Sequence, residues 1–408
     1  MELRGTSTFE KGHVPLDVSI VMPCLNEVQS LKHCIIDAQR ALDRIQSEYG
    51  LAGEIVIADN GSTDGSQALA ASLGARVVNV PRKGYGAAIQ GGFDAALGRF
   101  LVMGDADGSY AFTDSVAMIG RLLEGADLCM GSRFKGGIEP GAMPWKNRHI
   151  GNPLLTGLLN LFFRSGIDDA HCGLRAITRD AFLSLGLRGD GMEFASEMVI
   201  KASLRRMRIV QTAATLSIDL RDRDPHLRPW RDGWRHLRYL VMLSPTWAFG
   251  VPALLALIAA GTILAVATCH YIGALAGNGP FGASWMIVAG FLLTTGHFAG
   301  LMAVATHVAG VREGYRLLRP SIARLRHLLT LETMLGTGLA LIALALVMLV
   351  AITLNWRAGD FAAPPSVLPL VIASSLGAIG LQTIFGGVVM SILGGNSATF
   401  IPELDGAQ

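Results

Sequence analysis

The first half of the chain alternates short apolar runs with longer stretches of mixed polar and apolar residues. Each run spans four to six residues and ends in turn-forming residues, which is typical of buried parallel strands. The stretches between the runs are long enough for helices, so the alternation predicts an α/β fold with a doubly wound, mostly parallel sheet. The predicted strands cover residues 17–22, 54–58, 76–80, 100–103 and 127–131.

The second half of the chain has long apolar segments that carry no charge. Asp, Glu, Lys and Arg are absent from residues 239–311, 333–356 and 361–402. Four apolar segments lie within these regions, at residues 247–270, 284–308, 333–354 and 366–393. Each can cross ~30 Å of hydrocarbon at about 1.5 Å per residue. We therefore expect four transmembrane α-helices after the sheet; deeply buried helices of a soluble protein are the alternative interpretation.

These patterns divide the chain into seven segments. They are a polar N-terminal tail (1–15), an α/β domain (16–220), a basic and aromatic segment (221–246), a first transmembrane hairpin (247–308), a basic loop (309–332), a second transmembrane hairpin (333–394) and a C-terminal tail (395–408).

Composition and charge indicate where the protein resides. Hydrophobic residues make up 51% of the chain and charged residues 16%, which is typical of a protein that lies partly in a membrane. Segment 309–332 carries five arginines and residues 271–283 carry no charge, so the positive-inside rule places that segment, the α/β domain and both termini in the cytoplasm. The N-terminus lacks the apolar core of a signal peptide. We expect a multi-pass protein of the cell (inner) membrane.

The five cysteines show no paired spacing. Neither a zinc site nor a disulfide framework is therefore indicated, and a reducing compartment fits.

Two carboxylates follow directly after the predicted strand at residues 100–103. Asp105 and Asp107 stand at its carboxyl end, where ligands bind in open α/β sheets. Hard oxygen ligands suit Mg²⁺ or Mn²⁺, so the pair predicts a divalent cation that bridges Asp107, with Asp105, to a diphosphate. An acidic turn without a ligand is the alternative. The sequence has no Gly-x-Gly-x-x-Gly after the first strand and no Walker loop, which excludes those dinucleotide and P-loop sites.

The basic and aromatic segment precedes the first apolar span. Trp230 and Trp234 alternate there with Arg231, Arg235 and Arg238, a pattern suited to the headgroup layer of a lipid bilayer. Basic residues among aromatic ones also occur in nucleic-acid-binding proteins. The adjacent span favours the bilayer, and we expect no nucleic-acid partner.

Six motifs in order carry a resemblance to a known family. They are VMPCLNE, ADNGSTDGS, KGYGAAIQGG, GDADGSY, GSRF and DAHCGLRA, within about residues 18–217. In these motifs the chain resembles the family-2 glycosyltransferases with a GT-A fold, and among them the polyprenyl-phosphate sugar synthases, such as the dolichyl-phosphate glucose and mannose synthases. The resemblance implies inverting transfer of one sugar from a nucleotide sugar to polyprenyl phosphate, at the cytoplasmic face of the membrane. UDP-glucose is the favoured donor and GDP-mannose the second.

The resemblance also implies roles for individual residues. The residues implied for nucleotide-sugar binding are Pro23, Glu27, Asp59, Lys83, Gly84 and Asp105. Those implied for the acceptor phosphate are Arg133, Lys135 and Arg175, and the implied catalytic set is Asp105, Asp107, Asp169, Glu193 and Glu197. Purely structural roles compete with several of these: Glu27 and Asp59 are also suited to helix capping, and Arg175 to an ion pair with Asp168 or Asp169.

Two other functions remain open at this point. One is a processive membrane polysaccharide synthase, although such enzymes resemble one another in a Gln-x-x-Arg-Trp motif and no Arg-Trp pair occurs in this chain. The other is a non-catalytic lipid-sugar transporter, which should carry intramembrane charges that these spans lack. The sequence also leaves open whether the chain forms a homo-oligomer.

Overall fold

The computed structural model describes residues 16–221, 229–276, 279–395 and 398–400. The predicted N-terminal tail, most of the predicted C-terminal tail and residues 222–228 of the basic and aromatic segment lie outside the described residues. The chain divides into two compact units, Met1–Leu240 and Val241–Gln408.

The first unit is built on a seven-stranded sheet with the strand order β3-β2-β1-β4-β6-β5-β7. The strands are β1 (Val18–Cys24), β2 (Gly53–Asp59), β3 (Arg76–Asn79), β4 (Phe100–Met103), β5 (Leu128–Ser132), β6 (Arg175–Thr178) and β7 (Ile209–Ala213). All pairings are parallel except those of β6, which runs antiparallel to both β4 and β5. The predicted α/β fold with a mostly parallel sheet is confirmed.

The central strands are buried because helices cover the sheet. Every residue of β4 and β5 is buried, as is all of β1 except Pro23, which fits the continuous apolar runs that predicted them. The helices of this unit are α1 (Val28–Tyr49), α2 (Ser66–Ser72), α3 (Tyr85–Ala95), α4 (Ser115–Leu123), α5 (Arg133–Gly136), α6 (Asn152–Phe163), α7 (Arg179–Leu185), α8 (Glu193–Leu204) and α9 (Pro229–Met242), whose last two residues fall in the second unit.

In its described residues, the second unit contains four helices that are long and apolar enough to cross a membrane. They are α10 (Val251–Tyr271), α11 (Ala283–Arg312), α13 (Leu331–Ala358) and α14 (Leu368–Leu393), with the short α12 (Pro320–Arg324) between the second and third. A π-helical turn, Thr246–Gly250, extends the first of them at its N-terminal end. The predicted four transmembrane helices are confirmed.

Glycines bring two of these helices into close contact. A Cβ at Gly338 of α13 would lie 2.7 Å from the carbonyl oxygen of Gly380 in α14, so only a residue without a side chain fits there. Such small-residue contacts are expected between helices in lipid, where van der Waals packing replaces the hydrophobic effect as the driving force. A hydrogen bond of 3.1 Å between His297 and Thr383 adds a polar contact between α11 and α14.

Candidate active site

The candidate site lies at one edge of the sheet because parallel strands end there together. Glu27 follows β1, Asn60 follows β2, Asp107 follows β4 and Arg133 follows β5. The antiparallel β6 begins at this same edge, since Arg175 pairs with Met103 at the end of β4. Polar side chains that are far apart in the sequence therefore meet where ligands of α/β sheets bind.

A cavity of about 380 Å³ opens at this edge. Of the residues predicted to bind the nucleotide sugar, the following line it: Pro23, Glu27, Lys83, Gly84 and Asp105. Gly84 has a φ of +134°, and a Cβ at this position would collide with the carbonyl oxygen of Asp190. The close approach of the two backbones therefore requires a glycine.

Asp59 does not line this cavity among the described residues. Its side chain is fully buried and accepts hydrogen bonds from the amides of Gly61 and Ser62 and from Gln67 at 2.6 Å. Burial raises the pKa of Asp59, but these hydrogen bonds outweigh it and lower the pKa. In this structure Asp59 holds the loop after β2 and does not cap a helix; its role in nucleotide-sugar binding stays a prediction.

Asn60 is the residue of this loop that faces the cavity, and it was not predicted. Its side-chain oxygen accepts from the amide of Gly84 at 2.9 Å, while its NH₂ group donates to the carbonyls of Val80 and Arg82. The backbone oxygen of Asn60 also accepts from Lys83. Asn60 thus ties the second loop of the site to the third. Its position next to Asp59 was the available sequence signal.

The two predicted metal ligands lie in different surroundings. Asp105 accepts a hydrogen bond of 2.9 Å from the hydroxyl of Tyr85, and burial together with the charge of Asp107 raises the pKa of Asp105 to about 7. Asp107 is 9% exposed, and its Oδ1 accepts from the amide of Ser109 at 2.9 Å. Its Oδ2 forms an ion pair of 2.7 Å with Arg221.

The donor set fits a Mg²⁺ or Mn²⁺ ion that substrate phosphates help to hold. No group of three or more His, Cys, Asp or Glu side chains within the described part of the chain is arranged to hold a metal ion alone. Mg²⁺ commonly binds through one or two carboxylates and completes its coordination with waters and substrate phosphates. Asp105 and Asp107 supply such oxygen donors, so the residues present fit the predicted cation.

Arg133 and Asp169 form a buried ion pair beside the site. Nε and Nη2 of Arg133 donate to the two carboxylate oxygens of Asp169, each at 2.7 Å, and the amide of Arg133 donates to the same carboxylate at 3.1 Å. Burial raises the pKa of Asp169, but the hydrogen bonds and the charge of Arg133 outweigh it and lower the pKa. Lys135 forms a second pair, with Asp168 at 2.6 Å, and both of its members are half exposed.

Arg175 lies in a different position from the predicted one. It is 1% exposed, and its guanidinium donates to the backbone carbonyls of Cys172, Ala195 and Ala170. These three carbonyl oxygens stabilise its positive charge. The guanidinium is therefore directed at the backbone and not at an acceptor phosphate. The alternative of an ion pair with Asp168 or Asp169 is also wrong, because those carboxylates bind Lys135 and Arg133. Arg175 instead holds the chain around β6 in place.

The two predicted glutamates of α8 contact the loop before that helix. Glu193 accepts from the amide of Gly191 at 3.0 Å. Glu197 is 1% exposed, forms an ion pair of 2.8 Å with Lys201 and accepts from the amide of Gly189 at 2.7 Å. Glu197 therefore shapes this loop, which lies against Gly84 of the cavity wall. Glu197 itself does not line either cavity described here.

A second, larger cavity of about 820 Å³ adjoins the first. Most of its lining is apolar and comes from residues 142–155 and from α9. Polar residues gather at one side of it, where Arg133, His171 and His236 join Asp107. His236 shares a hydrogen bond of 2.8 Å with Ser196, and burial lowers the pKa of His171 to about 3, which keeps that ring neutral.

Family models match both parts of the chain. The model described as glycosyl transferase family 2 matches residues 19–186, and that of the glycosyltransferase family 2 C-terminal transmembrane region matches residues 304–394. The chain is therefore a membrane protein with a glycosyltransferase domain.

Several known proteins are similar to this chain, among them two of Haloferax volcanii. The low-salt glycan biosynthesis hexosyltransferase Agl6 of Haloferax volcanii is 34% identical over 385 residues, which are 92% of this chain and 89% of that protein. The dolichyl-phosphate hexose transferase of the same organism is 27% identical over 195 residues, 48% of this chain and 80% of that protein.

Among solved structures, the glucosyl-3-phosphoglycerate synthase of Mycobacterium tuberculosis, crystallised with Mn²⁺, UDP and glucosyl-3-phosphoglycerate, gives a TM-score of 0.41 at 23% identity and covers 56% of this chain and 78% of its own. The agreement of the family models with the near full-length similarity to Agl6 identifies the protein as a glycosyltransferase of family 2.

Proposed function

We propose that this glycosyltransferase moves a single sugar from a nucleotide sugar to polyprenyl phosphate at the cytoplasmic face of the membrane. The two relatives support the class of reaction, since one is named a hexosyltransferase and the other a dolichyl-phosphate hexose transferase. The four apolar helices support a lipid acceptor, because they keep the enzyme in the phase where such a lipid is dissolved.

The observation that carries the proposal is the junction of the two cavities. Asp107, Met192 and Arg221 line both of them. The smaller cavity brings together the hydrogen-bonding side chains of Glu27, Asn60 and Lys83, which a nucleotide could use. The larger cavity has more room and adds the apolar side chains of residues 142–155, which suit isoprene units. A sugar carried on a nucleotide diphosphate and an acceptor phosphate carried on an isoprenoid would therefore meet at Asp107.

The proposed reaction is an in-line displacement at the anomeric carbon. An oxygen of the acceptor phosphate forms the new bond to this carbon while the bond from the carbon to the donor's diphosphate oxygen breaks. The diphosphate oxygen leaves with the electron pair. A phosphate monoester is largely ionised at neutral pH, since its second pKa is about 6. No general base is therefore required. The anomeric configuration inverts because the reaction is a single in-line displacement.

The side chains of the site would orient the two anions and offset their charge. Arg133 lines the larger cavity and provides a guanidinium toward the acceptor phosphate, with Asp169 fixing its orientation. Lys83 lines the smaller cavity on the side of the donor. Asp105 and Asp107 would hold Mg²⁺ or Mn²⁺, which when bound supplies positive charge to the departing diphosphate.

The proposed orientation in the membrane is based on the arginines. Segment 309–332 lies between the second and third spans, and an even number of spans puts it on the same side as both termini. The positive-inside rule then assigns this side, with the catalytic domain, to the cytoplasm, where nucleotide sugars would be available.

The donor is tested by a screen with radiolabelled nucleotide sugars. Purified full-length protein is incubated with polyprenyl phosphate, Mg²⁺ or Mn²⁺ and one labelled donor at a time. We expect the label to enter the chloroform phase, with UDP-glucose as the favoured donor and GDP-mannose as the second. Label in a water-soluble polymer would indicate a processive synthase instead. Absence of transfer from every donor would refute the proposed reaction.

A further inference from the structure

Arg221 occupies the centre of the acidic part of the candidate site. Its guanidinium lies 2.7 Å from Asp107, 3.2 Å from Asp219 and 3.6 Å from Glu27. The side chain is only 15% exposed. One cation thus contacts three carboxylates, including the one best placed to bind a metal ion.

The position of Arg221 is fixed by the chain around it. Residues 216–221 run beside the loop that carries Asp107: the amide of Leu220 donates to the carbonyl of Asp107 and that of Ser217 to the carbonyl of Ser109, each at 2.9 Å. Between these bonds lies Gly108, with a φ of +83°, and a Cβ there would meet the side chain of Leu220. These backbone contacts therefore hold the segment that carries Arg221 beside Asp107.

A divalent cation and this guanidinium compete for the same oxygen. Oδ1 of Asp107 already accepts from Ser109, and its Oδ2 is the atom that Arg221 binds. A metal ion on Oδ2 would place two like charges in contact in a poorly solvated site, where their repulsion is large. The guanidinium must move before the ion binds.

We propose that Arg221 competes with a metal ion for Asp107, that the two cations exchange there, and that the donor's diphosphate then binds the displaced guanidinium. Nε of Arg221 is buried and has no partner among the described residues, so the group has a donor left for an additional anion. Arginine binds phosphates in a planar, two-point manner. The identity of the displacing anion rests on the proposed function; the exchange between arginine and metal does not.

The exchange couples metal binding to nucleotide binding. Arg221 either binds Asp107 or leaves it free. If the first state is populated about ten times more than the second, the apparent affinity for the metal ion is reduced about tenfold. A nucleoside diphosphate that binds the displaced guanidinium keeps it away from Asp107 and so removes this reduction. Metal and nucleotide therefore each strengthen the binding of the other.

The test measures Mn²⁺ binding to the purified full-length protein without any acceptor. Free Mn²⁺ is followed by electron paramagnetic resonance, with and without UDP, and in a parallel series with GDP. Without nucleotide we expect Arg221→Gln to bind Mn²⁺ about tenfold more tightly than the wild type. The gain in affinity on adding nucleotide should be smaller in this variant, because the competing cation is already absent.

A charge-matched control separates competition from long-range repulsion. Lys83→Gln also removes one positive charge from the lining of the smaller cavity, but Lys83 donates to the backbone of Asn60 and does not bind Asp107. Its Mn²⁺ affinity without nucleotide should change much less than that of Arg221→Gln. In Arg221→Gln/Asp107→Asn the tenfold gain should vanish.

Two results would overturn the inference: equal gains in Arg221→Gln and Lys83→Gln, or no gain in Arg221→Gln. Neither depends on transfer to a lipid, so a failure of the inference and a failure of the proposed reaction remain distinguishable.

Discussion

The buried pair between Arg133 and Asp169 allows a sharp test of how the acceptor side of the site is held. The side chains of the pair are 9% and 0% exposed, and the carboxylate accepts two hydrogen bonds of 2.7 Å from the guanidinium. It also accepts from the amides of Arg133 and His171 at 3.1 and 3.2 Å. Asp169→Asn preserves the shape of the side chain but removes its charge, which leaves the guanidinium buried without a counter-charge.

The expected loss of stability is large. Breaking a buried ion pair by removing one partner costs ~3–5 kcal/mol, because an uncompensated charge remains in a poorly solvated site. The neighbouring pair of Lys135 and Asp168 provides a matched control. Its side chains are 52% and 49% exposed, and such surface pairs contribute only ~0.2–1 kcal/mol. Asp169→Asn should therefore lower the free energy of unfolding several times more than Asp168→Asn does.

The assay is urea unfolding of the purified full-length protein in mild detergent, followed by near-ultraviolet circular dichroism. Asp169→Asn should lower the unfolding midpoint of the catalytic domain clearly, whereas Asp168→Asn should leave it close to that of the wild type. Equal midpoints for the two variants would show that the pair of Arg133 and Asp169 is not the stabilising contact described here.

Three further predictions concern pH, the metal ligand and the acceptor cavity. The pKa of Asp169 is lower in the folded protein than in the unfolded chain, where it is about 4. The pair therefore stabilises the fold above about pH 4, and this contribution is lost as the pH falls through the folded-state pKa. The stability difference between wild type and Asp169→Asn should shrink in acid and stay constant above about pH 5. Asp107→Asn should leave the circular dichroism spectrum unchanged but reduce transfer at least about 100-fold, since it removes a charged ligand of the cation; transfer at the wild-type rate would contradict this role. Leu154→Asp, in the lining of the larger cavity, should raise the KM for polyprenyl phosphate about tenfold and leave the KM for the nucleotide sugar unchanged, whereas the equally exposed Leu183→Asp on α7 should change neither.

The parts of the site that sequence could predict are those built from local pattern. The apolar run of β4 followed by Asp105 and Asp107 combines a buried strand with two carboxylates at its end, and both features lie within a few residues of one another. The family resemblance of the KGYGAAIQGG motif implied Lys83 and Gly84, and both line the smaller cavity.

The parts that sequence missed depend on contacts between distant residues. Arg221 lies 114 positions after Asp107, and its basic and aromatic neighbours favoured an interfacial role. β6 has only four residues and runs antiparallel, so no helix and strand alternation indicated it. The family resemblance implied that Arg175 faces the acceptor phosphate. In the structure three backbone carbonyls accept hydrogen bonds from its guanidinium, and the sequence does not reveal these contacts.

The same limit applies to carboxylates. The family resemblance implied site roles for Asp59 and Glu197, yet both accept hydrogen bonds from backbone amides of neighbouring loops. Their contribution to the site is the shape of those loops. Sequence alone identifies such residues as part of the site. It does not distinguish a residue that contacts a ligand from one that supports a neighbouring loop.

The most direct test of the central claim is the mass of the product formed by the wild-type enzyme from polyprenyl phosphate and its preferred nucleotide sugar. The two adjoining cavities predict a lipid phosphate heavier by one hexose residue, with no further addition at long reaction times. A ladder of products that grows by successive sugars, or a sugar polymer free of lipid, would contradict the account.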